Sequence, residues 1–191
     1  MCMSMSMYRY MLHVHAIRTV CEVALIFRGQ GKVYNKERHL YHPDVDVYFQ
    51  AKAWCDRPFA SEWFDRAVKP WVNDNYGGKP WLLYADSLDA QRCFPFVEAV
   101  KKTNGEILYG PRGKTDGWQP IDCGSLGSII KALFRQEQEH WMDLAYIRED
   151  DSSEEPNWRR WEQSLSISNK RVLAAWWCGE ACKKLLYSYV M

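Results

Sequence analysis

The sequence predicts an α/β fold, and three observations predict it. A short apolar run, Trp81-Leu-Leu-Tyr-Ala85, is followed by a helix-periodic stretch and then by a second short run from Glu106 to Tyr109, which reads as strand, helix, strand. Val45 to Gln50 alternates apolar and polar residues with the period of a strand. Leu126, Ile129, Ile130, Leu133, Phe134 and Trp141 line one side of a long amphipathic helix. With 191 residues, 47% of them apolar and 26% charged, the chain is long enough and apolar enough for a single core and too aromatic to be disordered. Twenty-five Lys and Arg face 24 Asp and Glu, so no global basic field advertises a polyanionic partner, and any such binding has to use a local patch.

The elements follow in order. After a Met-rich start, Tyr10 to Ile17 and Cys21 to Phe27 are aliphatic and β-branched runs on either side of Arg18-Thr19-Val20, which reads as a hairpin. Gly29-Gln-Gly31-Lys32 breaks the second strand. After the strand at Val45 to Gln50, Asp56 before Arg57-Pro58 is an N-cap followed by proline in the first turn, and the spacing of Phe59, Trp63, Phe64, Ala67 and Trp71 predicts a helix from Pro58 to Val72. Asn73 to Gly78 ends it with loop chemistry. The run from Trp81 to Ala85 is continuous enough to suggest a strand buried on both faces, and it ends in Asp86. A helix from Cys93 to Thr103, a turn at Asn104-Gly105 and a strand to Tyr109 complete the unit. Gly110 to Gly117 is a polar loop that leads to Asp122 and the long helix. Beyond Met142 the acidic stretch from Arg148 to Pro156 reads as a linker, and Val172, Leu173, Trp176, Trp177, Leu185 and Leu186 recur at helical spacing. Residues 1–145 are therefore expected to form one domain, and residues 146–191 an acidic linker with a helical tail.

Several function classes fall away. The longest apolar stretch, Val172 to Cys178, has seven residues, against the roughly 20 needed to cross a bilayer. The Met-rich opening lacks the basic leader, long apolar centre and cleavage site of a secretory signal, so an intracellular protein is expected. Seven cysteines scattered from position 2 to 182 suit reduced, buried thiols rather than a disulfide framework. Gly110-Pro-Arg-Gly-Lys-Thr115 ends like a phosphate loop, but Leu108 stands where the motif needs glycine. Gly29 and Gly31 lack the third glycine of a dinucleotide site. His13 with His15, and Cys178 with Cys182, have spacings that zinc can use, but neither pair has a second pair nearby in sequence, so packing is the default. Trp63, Trp71, Trp141, Trp176 and Trp177 could stack on bases; at helical spacing they read as core.

Two acids stand out by position. Asp86 ends a strand, where open α/β sheets place their active sites. Asp122 precedes a long helix, whose dipole favours a carboxylate there. Hard divalent cations take oxygen ligands, and two converging carboxylates are the smallest protein set that holds one against phosphate oxygens. On spacing alone, however, a turn residue at Asp86 and a helix cap at Asp122 are the commoner readings.

Four ordered segments carry a resemblance. Leu25-Ile-Phe-Arg-Gly-Gln-Gly-Lys32, Gln50-Ala-Lys-Ala-Trp-Cys-Asp56, Leu82-Leu-Tyr-Ala-Asp86 and Trp118-Gln-Pro-Ile-Asp122 are similar, in order and separation, to successive blocks of the DDE superfamily endonuclease domain of Pogo, Tigger and Jerky type transposases and their centromere-protein-B-like relatives. The resemblance covers roughly residues 10 to 145, and Lys170 to Glu180 looks like the helical extension of some members. It implies an RNase H-like fold, a mixed sheet flanked by helices with a C-terminal helical extension, whose three acids hold two divalent metals, magnesium or manganese. It also implies DNA as partner and the nucleus as location. Asp86 matches the second acid and Asp122 the third, as catalytic residues and metal ligands. The first acid belongs on a strand before the hairpin; residues 1 to 21 contain no acid, and Glu22 is the earliest.

The expectation is thus a domain lacking its first strand, with two acids of three, that binds nucleic acid and is catalytically impaired. The alternative is a domesticated, non-catalytic DNA- or protein-binding module. Gln91 stands where many members have a histidine, five residues after the second acid. Asp44 and Asp46 are poor substitutes for the first acid because they precede or lie on a different strand. For nucleic-acid contacts, residues 1–42 carry six Lys and Arg against Glu22 and Glu37. Arg28, Lys32 and Lys36, extended by Arg112 and Lys114, are the candidates. An ordinary solvated surface accounts for the count equally well.

Overall fold

The computed structural model describes residues 8–11, 23–85, 88–111, 126–148 and 158–190. Its strands form two ladders. The first runs β1 (Tyr8–Met11), β2 (Val23–Arg28), β3 (Val45–Gln50). β1 is antiparallel to β2, with Tyr8 opposite Phe27 and Met11 opposite Ala24. β2 is parallel to β3, from Val23 opposite Val45 to Arg28 opposite Gln50. The expected hairpin pairing is present, although its first strand begins at Tyr8 and residues 12–22 lie outside the described residues. A parallel pair needs a crossover, and here it is α1 (Tyr34–Glu37) with the single turn that follows.

β2 is the strand buried on both faces, since Val23 to Phe27 are all buried. Ala24 and Ile26 face one apolar cluster, Val23, Leu25 and Phe27 the other. The first cluster is closed by a continuous helical run: α2 (Arg57–Trp63), a π-helical turn (Phe64–Val68) and α3 (Lys69–Tyr76). Local chemistry sets both ends. Asp56 caps the start by accepting from Phe59 N–H at 2.9 Å, and Gly77 ends the run at φ 54°, a left-handed conformation that suits glycine. The buried stripe runs through Phe64, Ala67, Val68 and Val72 and leaves Trp71 half-buried, one position off the expected stripe. Burying a side chain such as Phe59 or Phe64 contributes about 1.5–3 kcal/mol.

The second ladder is β4 (Trp81–Ala85) parallel to β5 (Gly105–Tyr109), with α4 (Asp89–Arg92) and α5 (Phe94–Lys102) in the crossover. This is the strand, helix, strand unit read from the sequence, and the mixed α/β class holds. One expectation is corrected: β4 is buried on one face only. Trp81, Leu83 and Ala85 face the core, while Leu82 is 44% and Tyr84 53% exposed. The run reads as continuous because its outward residues are apolar too. Asn104 takes the turn at φ 60°, and Gly105 lets the chain pass under Trp81, where a Cβ would lie 2.5 Å from the indole. Gly105→Ala is therefore expected to destabilise the protein by about 1–3 kcal/mol in urea titration, by overpacking.

Three further helices, α6 (Leu126–Arg148), α7 (Trp158–Ser164) and α8 (Ile167–Val190), follow. α8 lies against the second face of the first ladder, with Ala174, Ala175, Trp177, Cys178, Ala181 and Cys182 packed on Val23, Leu25, Val45 and Val47. α6 adds Phe134, whose ring meets Trp177 edge-on at 5.8 Å. The buried stripe of α6 is Ile130, Phe134, Glu137 and Gln138, so Ile129 and Trp141 are exposed rather than core, and Trp176 on α8 is exposed as well. Cys178 and Cys182 are buried thiols. No described helix is long and apolar enough to cross a bilayer.

Candidate functional site

Parallel strands deliver their carboxyl ends to one side, and β4 and β5 do so in register: Ala85 stands opposite Tyr109, and Gly110 N–H donates to Ala85 O at 3.2 Å. The residue after Ala85 is Asp86. Asp86, Asp122, Arg112 and Lys114 all lie outside the described residues. What can be placed is the frame around the strand ends. Tyr109 donates its hydroxyl to the Gln91 carbonyl at 2.5 Å, which ties α4 back onto β5. The Arg92 guanidinium sits 4.6 Å from the centre of the Tyr109 ring, and burial pushes the phenol pKa up, so the hydroxyl stays a donor. Arg57 holds Asp89 through two hydrogen bonds of 2.8 and 3.1 Å and joins the start of α2 to the start of α4; this contact keeps the Asp89 carboxyl below its usual range.

Gln91 is 7% exposed, and its Oε1 is buried with no hydrogen-bond partner among the described residues. An orphaned amide oxygen is costly unless some cation, water or donor meets it. An amide oxygen is a donor that hard divalent cations accept, so this orphaned atom fits such an ion. Among the described residues no group of three His, Cys, Asp or Glu converges.

The substitutes for a first acid are engaged elsewhere. Asp46 accepts from the Tyr48 hydroxyl at 3.3 Å and lies 3.5 Å from Arg66, and Asp44 lies 3.7 Å from Lys183. Both sit at the amino end of β3 with cations of their own.

Arg28, Lys32 and Lys36 are exposed and make no ion pair among the described residues. Arg28 closes β2, Lys32 follows the turn, and Lys36 is on α1, four residues on from Lys32. Sequence reasoning missed what stands beside them. Gly29 N–H donates to Gln50 O at 2.9 Å, so the end of β3 and the turn after it meet the start of the Gly29 to Lys32 turn. That second turn carries Lys52 and Trp54, both exposed. Ala53 between them takes φ 50°, a left-handed conformation that costs a non-glycine residue about 1–2 kcal/mol. The sequence signal was the Lys-Ala-Trp of the Gln50 to Asp56 segment, between a strand and a helix cap.

A family model described as DDE superfamily endonuclease matches residues 17–175. No curated protein and no solved structure matches the chain.

Proposed function

The chain belongs to the DDE superfamily endonuclease family, and from that premise we propose a transposase-derived domain that binds DNA and cleaves it weakly, through the two acids it contributes. The observation that carries the reading is the end of β4: a parallel pair stops in register at Ala85, so that Asp86 follows at the carboxyl end of the strand, where this class of sheet places its chemistry. Asp122 is the second carboxylate of the pair, and the two are the ligands for magnesium or manganese. Such an ion supplies Lewis-acid stabilisation of phosphate oxygens and a more acidic bound water. Gln91, whose backbone carbonyl accepts from the Tyr109 hydroxyl, carries a buried amide oxygen with no hydrogen-bond partner among the described residues. Its neighbour Arg92, stacked on Tyr109, adds positive charge where a phosphodiester would lie. An in-line displacement needs the attacking and leaving oxygens aligned together, and two acids alone align them poorly. Arg28, Lys32, Lys36, Arg112 and Lys114 supply salt-sensitive phosphate contacts, and the nucleus is the place of action.

Incubating the chain with supercoiled plasmid and either cation tests this. Slow nicking is expected, and both Asp86→Ala and Asp122→Ala are expected to reduce it to the no-protein background while DNA binding, read by anisotropy, stays within about twofold. Nicking that survives both substitutions, or a chain that binds no DNA, overturns the proposal. DNA binding without any nicking in the unmodified chain would make the domain a domesticated binding module.

A further inference from the structure

We infer that the two turns at the carboxyl ends of β2 and β3 form a platform for single-stranded DNA, on which Trp54 stacks against an unpaired base while Arg28, Lys32, Lys36 and Lys52 hold the flanking phosphates. The inference rests on the DNA-binding reading above and adds the surface and the form of DNA it takes.

Charge comes first. Of the carboxylates in this part of the chain, Glu37 is buried against Arg171, Asp46 lies beside Arg66 and Asp44 beside Lys183. Asp56 is occupied as the cap of α2 and also accepts from the Gln50 amide at 2.9 Å. The four cations are exposed and unmatched by any ion pair among the described residues, so the local field is positive although the chain as a whole is nearly neutral. A surface of this kind attracts a phosphate backbone.

The aromatic comes second. Trp54 is 44% exposed while its neighbours Ala53 and Cys55 are buried. Burial of Ala53 and Cys55 thus holds the chain on both sides of an indole that stands at the surface, with Ala53 in the left-handed turn. Single exposed aromatics are common, but this one lies one residue from Lys52 and beside the turn that carries Lys32. Cations beside an aromatic face are the arrangement that binds single strands without base-edge readout. The choice of unpaired DNA follows from geometry: in a duplex the base faces are covered by their neighbours, so an indole at a turn can stack only on a base that is free of its stack.

Anisotropy titrations of the full chain with a labelled 20-mer, single-stranded and duplex, at several salt concentrations test the platform. Trp54→Leu keeps an apolar side chain but removes the ring face. It is expected to weaken single-strand binding about tenfold, to leave duplex binding within about twofold and to leave the salt slope unchanged. Trp54→Phe is expected to stay within about threefold of the unmodified chain. Arg28→Gln with Lys52→Gln is expected to lower the salt slope by about one to two for both DNA forms. Thermal denaturation of each variant separates lost contacts from lost folding, and if Trp54→Leu unfolds, Trp54→Phe and the double variant carry the test. Equal loss on single strand and duplex from a folded Trp54→Leu, or no loss on either, overturns the platform and leaves the DNA-binding reading standing. Absence of binding to both DNA forms by the unmodified chain overturns that reading.

Discussion

Arg171→Met is expected to destabilise the protein by about 3–5 kcal/mol at neutral pH, because it strands a buried carboxylate. Glu37 on α1 is 4% exposed; the Arg171 side chain, 134 residues later on α8, donates to both of its oxygens from Nε and Nη2, and the Tyr41 hydroxyl adds a third hydrogen bond at 2.6 Å. The methionine variant retains most of the side-chain volume and the contact with the Phe49 ring region, so the loss reports the charge rather than a cavity.

The pH dependence has a definite sign. The Arg171 hydrogen bonds hold the Glu37 pKa at about 2, below its ordinary value of 4.5, against burial, which alone would raise it. A depressed carboxyl pKa contributes stability that is complete above the unfolded value and fades as pH falls toward the folded one. The unmodified protein is therefore expected to lose this contribution between about pH 4.5 and about pH 2. In Arg171→Met burial acts unopposed by the cation, the carboxyl protonates more readily, and the deficit relative to the unmodified protein narrows on acidification. Urea titrations at pH 7, 5 and 3.5 read this directly; a deficit that is constant across the series would show that the pair contributes packing alone.

Gly179→Ala is the second large effect, expected at about 2–3 kcal/mol or more from overpacking against a ring that has nowhere to move. A Cβ at Gly179 would lie 2.6 Å from Cε1 of His42 and closer still to Cγ and Nδ1. The ring is fully buried and held on three sides. Its Nδ1 accepts from Asp44 N–H at 3.1 Å, which leaves Nε2 to donate to Glu180 Oε1 at 3.1 Å, and Trp176 packs edge-on at 4.9 Å. Glu180 is in turn bound by Lys183 at 3.0 Å, and that contact, with the His42 hydrogen bond, keeps its carboxyl low. The clasp fixes how closely α8 approaches the loop before β3, and Trp176 reinforces it by donating to Leu40 O at 2.8 Å. In a double-mutant cycle, His42→Ala alone also destabilises, but Gly179→Ala added to it is expected to cost far less than it does alone, because the missing ring makes room for the methyl. Additive losses would show that the clash is relieved by a shift of the whole helix.

Much of the fold was legible where short-range chemistry sets it. The Asp56 cap and the Asn104-Gly105 turn are each set within a few residues, and the structure places both where the sequence reading did; the helix expected to end at Val72 instead runs on through Asn73 to Tyr76 and stops at Gly77. What failed were inferences from apolar pattern to burial. Trp81 to Ala85 reads as a strand buried twice because Leu82 and Tyr84 are apolar, yet they face outward; Val23 to Phe27 is the strand that is buried twice. A hydrophobicity pattern records what a residue tolerates and not what covers it. Trp71 is half-buried for a similar reason: the covered face runs through Phe64, Val68 and Val72, and the ring stands one position to its side.

The candidate site was legible in part for the same reason. A strand followed by an acid is a local pattern, so neighbouring residues alone put Asp86 next in the chain after the strand that ends at Ala85. The Tyr109 and Arg92 supports could not, because they depend on the register between β4 and β5.

By itself, then, the sequence determined the α/β class, the order of most elements and the family, since each of these is written in neighbouring residues or in ordered blocks. Only the tertiary structure decided which strand is central, which strands α8 packs on, and that Lys52 and Trp54 stand beside the Gly29 to Lys32 turn. The physical reason is sequence separation. Glu37 meets Arg171 across 134 residues, and His42 meets Glu180 across 138. Contacts at that range leave no periodicity in the chain, because they are chosen by the parallel crossover and by the close approach that glycine and alanine allow on α8.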